Sequence, residues 1–371
     1  MMSARFLTVV LERAFNMRDG FGREIDYMRI SVIDSCNLNC YYCNPCDNNE
    51  HCHALNILSV KEVLCIVRAA TRLGIKHFRL TGGEPLLHPQ LDEMVLQIKK
   101  IPGVSSVSLT TNAVLLVQHA KWLKEAGIDS INVSLDTIEA SEYERITKKP
   151  LLEEVKHGIN AAIECGIRVK INVVLTPQTD VVALTRYVAK KGTDIRFIEM
   201  MPVGEGHTNG VEPYKKVIGT LSKLYGEPCR INTEKTKEIN SGNDKRKIPD
   251  NGPAEYYIFP ELGIRVGLIQ AIHGKFCDTC NRIRVTADGR LMPCLGSRVT
   301  MDLVPDSCEF TDDLEKDFVI VQALKAAIKA KPGCHNFNDN AVTYTKTTET
   351  KTTEIEAAEV NAARNMSRIG G

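Results

Sequence analysis

The stretch Met28-Arg29-Ile30-Ser31-Val32-Ile33-Asp34-Ser35-Cys36-Asn37-Leu38-Asn39-Cys40-Tyr41-Tyr42-Cys43 decides how the chain is read. Its first half, Met28–Asp34, is rich in β-branched and apolar residues and reads as a strand. Its second half is a polar loop holding three cysteines. Five more such runs follow: Lys76–Thr81, Val104–Thr110, Asp129–Asp136, Ile167–Leu175 and Asp194–Met201. Helical stretches, among them Val60–Leu73, Val114–Ala126 and Leu151–Cys165, stand between them. Gly74, Gly127 and Gly166 each sit where a left-handed residue closes a helix.

Strands and helices alternating in this way predict an α/β fold with a parallel sheet. Such a sheet gathers its functional loops at the carboxyl ends of the strands. The polar ends here are SCNLNCYYC, GGEP from Gly82, Thr111-Asn112, Ser134-Leu135-Asp136 and EMMPVG from Glu199. Beyond about Gly210 the alternation fades into a charged stretch, Lys235–Lys247, and then a short-stranded region with Cys277, Cys280 and Cys294. The expected modules are 1–210, 211–342 and a linker with a Gly-Gly tail, 343–371.

The chain has 371 residues, and its 47 basic side chains against 46 acidic ones leave a net charge of +1. That balance argues against general affinity for nucleic acid or anionic membranes, so any anion site must be a local cluster. No apolar run approaches the roughly 20 residues of a membrane span, and Met1–Arg18 lacks a cleavage signal, so a cytoplasmic protein is expected. Thirteen cysteines, an odd number, point to metal or redox chemistry rather than a disulfide framework.

Cys36, Cys40 and Cys43 form C-x3-C-x2-C. Three thiolates on a 4Fe-4S cube leave one iron open, whereas a ferredoxin run from Cys40 would need cysteine where Glu50 stands. A zinc knuckle remains open on spacing alone, with Cys46 and Cys52 nearby. Cys277, Cys280 and Cys294 form C-x2-C-x13-C, again three ligands, and Ser297 stands where a zinc ribbon wants its last cysteine. Cys308 or His273 could still close a zinc site. Arg282 and Arg284 alternate on an apparent strand, so both point to one face beside this second set, as for phosphate or carboxylate recognition.

The C-x3-C-x-Y-C loop with Thr81-Gly82-Gly83-Glu84-Pro85 resembles the radical S-adenosylmethionine superfamily. The pattern FC-x2-CNRIR-x-TADGRL-x2-CL, with the terminal Met-Ser-x-Ile-Gly-Gly, resembles more specifically the GTP 3′,8-cyclase family of molybdenum cofactor biosynthesis. The resemblance implies an incomplete (βα)6 radical SAM barrel with a smaller C-terminal iron-sulfur module. It implies two 4Fe-4S clusters, held by Cys36, Cys40 and Cys43 and by Cys277, Cys280 and Cys294, with S-adenosylmethionine on the first and GTP on the second. A 5′-deoxyadenosyl radical would take the ribose 3′ hydrogen, and the resulting carbon radical would close onto C8 of guanine. By motif match Tyr42, Gly83, Ser134 and Met201 would line the S-adenosylmethionine site. Arg29, Arg79, Thr110, Lys170, Arg196, Arg282 and Arg284 would surround GTP. Arg29, Gly370 and Gly371 would serve the radical step.

A flavodoxin- or ferredoxin-type reductant, cyclic pyranopterin monophosphate synthase downstream, and a homodimer complete the expectations. The chain departs from the family at His77, where lysine is common, at His88-Pro89, where basic residues are usual, and in the short segment Asn44–Asn56. The alternatives are a related two-cluster radical enzyme acting on another nucleotide or a peptide, and a zinc or electron-transfer protein. The last would need neither GGEP nor the paired arginines.

Overall fold

The computed structural model describes residues 17–43, 56–202, 211–231, 252–259, 261–297, 300–303, 313–335 and 337. Cys46, Cys52, Lys235–Lys247, Cys308 and the whole 343–371 tail, with Gly370 and Gly371, lie outside the described residues.

In chain order the elements are β1 (Tyr27–Ser31), α1 (Val60–Arg72), β2 (His77–Thr81), α2 (Leu91–Lys99), β3 (Ser106–Thr111), α3 (Leu116–Glu125), β4 (Ser130–Ser134), α4 (Ala140–Thr147), α5 (Leu152–Glu164), β5 (Val169–Val174), α6 (Val181–Lys190) and β6 (Asp194–Ile198). These are the six expected repeats, each strand starting within two residues of its sequence-based position. There follow α7 (Gly219–Tyr225), β7 (Cys229–Arg230), β8 (Glu255–Ile258), β9 (Arg265–Ile269), β10 (Arg282–Val285), β11 (Arg290–Met292), β12 (Met301–Asp302) and α8 (Asp313–Lys329). Gly74, Gly127 and Gly166 close their helices with φ of +85°, +88° and +68°.

The chain forms two compact units that interleave along the sequence: Met1–Val107 with Pro202–Gly206 and Asn281–Gly371, and Ser108–Met201 with His207–Cys280. In the first unit β1 is the inner strand. It runs parallel to β2, with Arg29 opposite Arg79, and parallel to β10, with Arg29 opposite Arg284. Antiparallel β11 and β12 extend the sheet beyond β10. Side chains alternate across a strand, so Met28, Ile30, Phe78, Leu80, Ile283 and Val285 share one fully buried face. Each of these contributes about 2 kcal/mol of apolar burial.

Helix α1 starts cleanly because Ser59 and Glu62 form a reciprocal capping box, the Glu62 carboxylate accepting the Ser59 N–H at 2.8 Å. Its apolar stripe, Val63, Ile66, Val67 and Ala70, is buried, and α1 packs on α8. Arg72 on α1 reaches Asp317 on α8 at 3.1 Å.

In the second unit β3, β4, β5 and β6 pair in parallel and in sequence order, through Thr110 opposite Asn132, Asn132 opposite Lys170 and Asn172 opposite Arg196. β9 adds to β6 in parallel, and β8 and β7 follow antiparallel. Gly158 on α5 lies against α3, where a methyl group would overlap the Ala113 carbonyl.

Candidate functional site

The cysteine loop hangs from the carboxyl end of β1 and is tied at its base. Ile33 and Ile57 form an antiparallel bridge, and the Asp34 carboxylate accepts the backbone and side-chain N–H groups of Asn56 at 3.2 and 2.7 Å. A turn joins Cys43 to Cys40, N–H to carbonyl at 2.9 Å, and the Leu38 N–H approaches the Cys36 sulfur at 3.5 Å. None of the three is in a disulfide, and all are partly exposed. Tyr42 meets Tyr41 edge-on, with ring centroids 5.3 Å apart.

The GGEP segment packs against the root of this loop. The Gly83 N–H donates to the Ile33 carbonyl at 2.7 Å and the Glu84 N–H to the Ser35 carbonyl at 2.8 Å. A side chain at Gly83 would overlap the Ser35 backbone. The glycine is therefore required by the approach of the cysteine loop itself. Glu84, 1% exposed, caps the following turn by accepting the Leu86 N–H at 3.0 Å.

Tyr27, Arg29, Ser31, His77, Arg79, Arg282 and Arg284 all lie on the face of the first sheet opposite its apolar core, as their registers require. Arg29 stands in one rung between Arg284 and Arg79. Burial, then the neighbouring guanidiniums of Arg284, Arg79 and Arg282, hold Arg29 well below the usual arginine pKa. The Arg79 guanidinium also lies 5.7 Å from the Tyr27 ring centroid. Clustered like charges on one face suit a polyanion.

The two histidines that depart from the family pattern are held differently. His77 Nδ1 lies 2.8 Å from the Ser106 hydroxyl, with its ring stacked on Tyr27, at the amino end of β2. His88 is buried: its Nε2–H donates to the Leu58 carbonyl at 2.9 Å, and Nδ1 accepts the Gln90 N–H at 3.1 Å. Both partners fix the neutral tautomer, and burial lowers its pKa below the ordinary histidine value.

In the second unit Thr110, Asn132, Lys170, Asn172 and Arg196 share one face of the sheet. Lys170 and Arg196 are each 3% exposed. The Arg196 Nε–H donates to the Asn172 amide oxygen at 2.9 Å. Gly267 lies opposite Arg196, where a methyl group would press on the Arg196 side chain. Ser134 ends β4 and is exposed, and Met201 follows β6, partly buried beside the buried Met200.

Cys277 and Cys280 flank a short 3-10 turn in this unit, the Cys280 N–H donating to the Cys277 carbonyl at 3.1 Å. Cys294 belongs to the first unit, on a turn closed by the Ser297 N–H on the Cys294 carbonyl at 3.0 Å. Sequence reasoning missed two anchors of these loops. Buried Lys331 donates to the carbonyls of Arg282, at 2.8 Å, and Pro293, at 2.9 Å, holding the backbone beside Cys294. Buried Glu199, at the end of β6, accepts from the Ile272 N–H at 2.7 Å and pairs with the His273 ring, ahead of Cys277. Glu199 was visible as part of a strand-end loop, but nothing in the sequence announced its partner. Among the described residues no group of three or more His, Cys, Asp or Glu side chains is arranged to hold a single metal ion.

The Radical SAM superfamily profile matches residues 30–183, and the Molybdenum Cofactor Synthesis C profile matches residues 193–337. A GTP 3′,8-cyclase of Clostridium perfringens is 36% identical over 86% of this chain and 95% of its own length. The chain belongs to the GTP 3′,8-cyclase family. Proteins of the same name from Pelotomaculum thermopropionicum and Listeria monocytogenes are each 36% identical, over 86% of this chain and 95% and 92% of their own lengths. Among solved structures, Streptococcus suis SuiB bound to its precursor peptide SuiA superposes with a TM-score of 0.54 at 14% identity, covering 86% of this chain and 67% of that one. Native anSMEcpe with bound AdoMet gives 0.50 at 18% identity, covering 74% and 75%. Both share the α/β radical SAM fold with this member of the family.

Proposed function

We propose that the chain is a radical S-adenosylmethionine GTP 3′,8-cyclase, acting at the first step of molybdenum cofactor biosynthesis and converting GTP to 3′,8-cyclo-7,8-dihydro-GTP. The observation that carries this reading is the row of guanidiniums at Arg284, Arg29 and Arg79, in register on the strand that launches the Cys36–Cys43 loop. A triphosphate carries the concentrated negative charge that a row of guanidiniums is suited to bind.

The donor sets fit two 4Fe-4S cubes. Each has three cysteines rather than four, the number that leaves one iron of a cube open to a small ligand. Cys36, Cys40 and Cys43 would hold the first cluster, and Cys277, Cys280 and Cys294 the second. When bound, the first cluster and S-adenosylmethionine supply the carbon radical that removes the ribose 3′ hydrogen.

The protein's own part is placement. Tyr42, Gly83, Ser134 and Met201 would border S-adenosylmethionine, and Arg29, Arg79, Thr110, Lys170, Arg196, Arg282 and Arg284 would hold GTP. Fixing both reactants spares the ring closure much of its entropy cost, because the attacking carbon and C8 belong to one immobilised molecule. Arg29, Gly370 and Gly371 would serve that step. The modules 1–210, 211–342 and 343–371, a flavodoxin- or ferredoxin-type reductant, delivery to cyclic pyranopterin monophosphate synthase, a homodimer and a cytoplasmic setting belong to the same reading. No described helix is long and apolar enough to cross a membrane.

The test is to incubate anaerobically prepared protein, reduced with dithionite, with S-adenosylmethionine and GTP and to measure 5′-deoxyadenosine and a cyclised guanine product. Cleavage that GTP does not stimulate, with no cyclised product, would overturn the assignment.

A further inference from the structure

Asn132 occupies the middle of β4 and is 1% exposed, yet neither its amide oxygen nor its amide nitrogen has a hydrogen-bond partner among the described residues. Its register neighbour on β3, Thr110, has a buried hydroxyl in the same condition. On the other side stands Lys170. Buried amides are almost always satisfied, and an apolar side chain of the same size would fill this place without a desolvation penalty. A carboxamide kept there against that penalty is explained by a partner that arrives from outside the fold.

The sheet indicates which partner. Ser134, assigned to S-adenosylmethionine, ends β4 at its carboxyl edge, and Asn132 lies two residues back on the same face. That places Asn132 level with Thr110 and Lys170, both assigned to GTP. A carboxamide offers one acceptor and two donors side by side. A fully ionised triphosphate has no proton for the acceptor, whereas a sugar hydroxyl both donates and accepts. We infer that Asn132 binds a ribose hydroxyl of GTP and so helps fix the sugar whose 3′ hydrogen is removed, an assignment that rests on the GTP reading above. Lys170 is buried, while the Thr110 side of the row is partly open.

The experiment uses full-length, anaerobically prepared cluster-loaded protein and measures equilibrium binding of GTP, 2′-deoxy-GTP, 3′-deoxy-GTP and S-adenosylmethionine. Wild type is compared with Asn132→Leu, which keeps the volume, and Asn132→Ala. The expected result is a GTP affinity roughly tenfold or more weaker in both variants, from the loss of one or two hydrogen bonds. One of the two deoxy analogues should lose far less, so that the wild-type preference for GTP over it collapses. S-adenosylmethionine affinity should stay within about twofold, and Asn132→Leu should melt no lower than wild type without ligand. Unchanged GTP binding, an equal loss for GTP and both analogues, or a loss confined to S-adenosylmethionine would overturn the inference while wild type still binds GTP. If wild type itself bound no GTP, the substrate reading would fall first and this inference with it.

Discussion

Replacing Arg29 with methionine removes the central charge of the rung while keeping most of the side chain's length. Neighbouring strands lie about 4.8 Å apart, so like charges in one rung that splay away from each other are separated by about 6 Å. At an effective dielectric near 20, two unit charges at that distance repel by about 3 kcal/mol, and Arg29 has two such neighbours. Solvent and counter-ions reduce this, so about 1–2 kcal/mol of net relief is the expectation. Arg29→Met should therefore raise the ligand-free melting temperature by a few degrees, at roughly 2–4 °C per kcal/mol for a unit of this size. The same change removes a phosphate partner. GTP at about 100 times its Kd should stabilise wild type by roughly 2.7 kcal/mol, and most of that increment should vanish in the variant. Thermal unfolding of the cluster-loaded protein, with and without GTP, reads both effects. If Arg29→Met melted lower than wild type without ligand and kept the full GTP increment, the row would be a structural network and not an anion site.

Gly83→Ala places a methyl group on the Ser35 backbone, so the cysteine loop must shift; the purified variant should lose about four of roughly eight irons and stop cleaving S-adenosylmethionine, as iron analysis would show. Lys331→Met leaves the carbonyls of Arg282 and Pro293 without their buried donor, which should cost about 2–3 kcal/mol. Iron loss in that variant should fall on the second cluster, with GTP-independent cleavage retained. The folded protein keeps His88 neutral while the unfolded chain takes up a proton near the ordinary pKa of about 6.5. Its contribution is therefore complete above that value and declines as pH falls below it. His88→Phe should flatten this acid limb of the stability profile, measured by denaturant unfolding between pH 7 and 5, and lower stability at pH 7 by about 2 kcal/mol through two stranded backbone groups.

The six parallel strands and the helix-closing glycines were legible because period-two and period-3.6 patterns are local properties of the chain. The capping box at Ser59 is equally local. The pairing of β10 with β1 was not, since no local pattern links residues more than 250 positions apart. That pairing turned an arginine pair into a rung of three guanidiniums. The shared face of Arg282 and Arg284 could be read from their spacing; their neighbours could not. His77 and His88 showed as departures from a pattern, and only their partners, Ser106 for one and Leu58 with Gln90 for the other, reveal that both are tied into the scaffold. Asn132 carried no signal at all, because an asparagine in a strand looks alike whether or not its amide is satisfied.

The inner position of β1 has a consequence for biosynthesis. Until Val285 has left the ribosome, the strand that bears the first cysteine loop has no neighbour on one side, and its open hydrogen-bonding edge invites pairing with other chains. A nascent or truncated chain ending near residue 210 would hold the whole S-adenosylmethionine motif and still be a poor folding unit. Completion of the sheet around the first cysteine loop therefore waits for the C-terminal half of the chain.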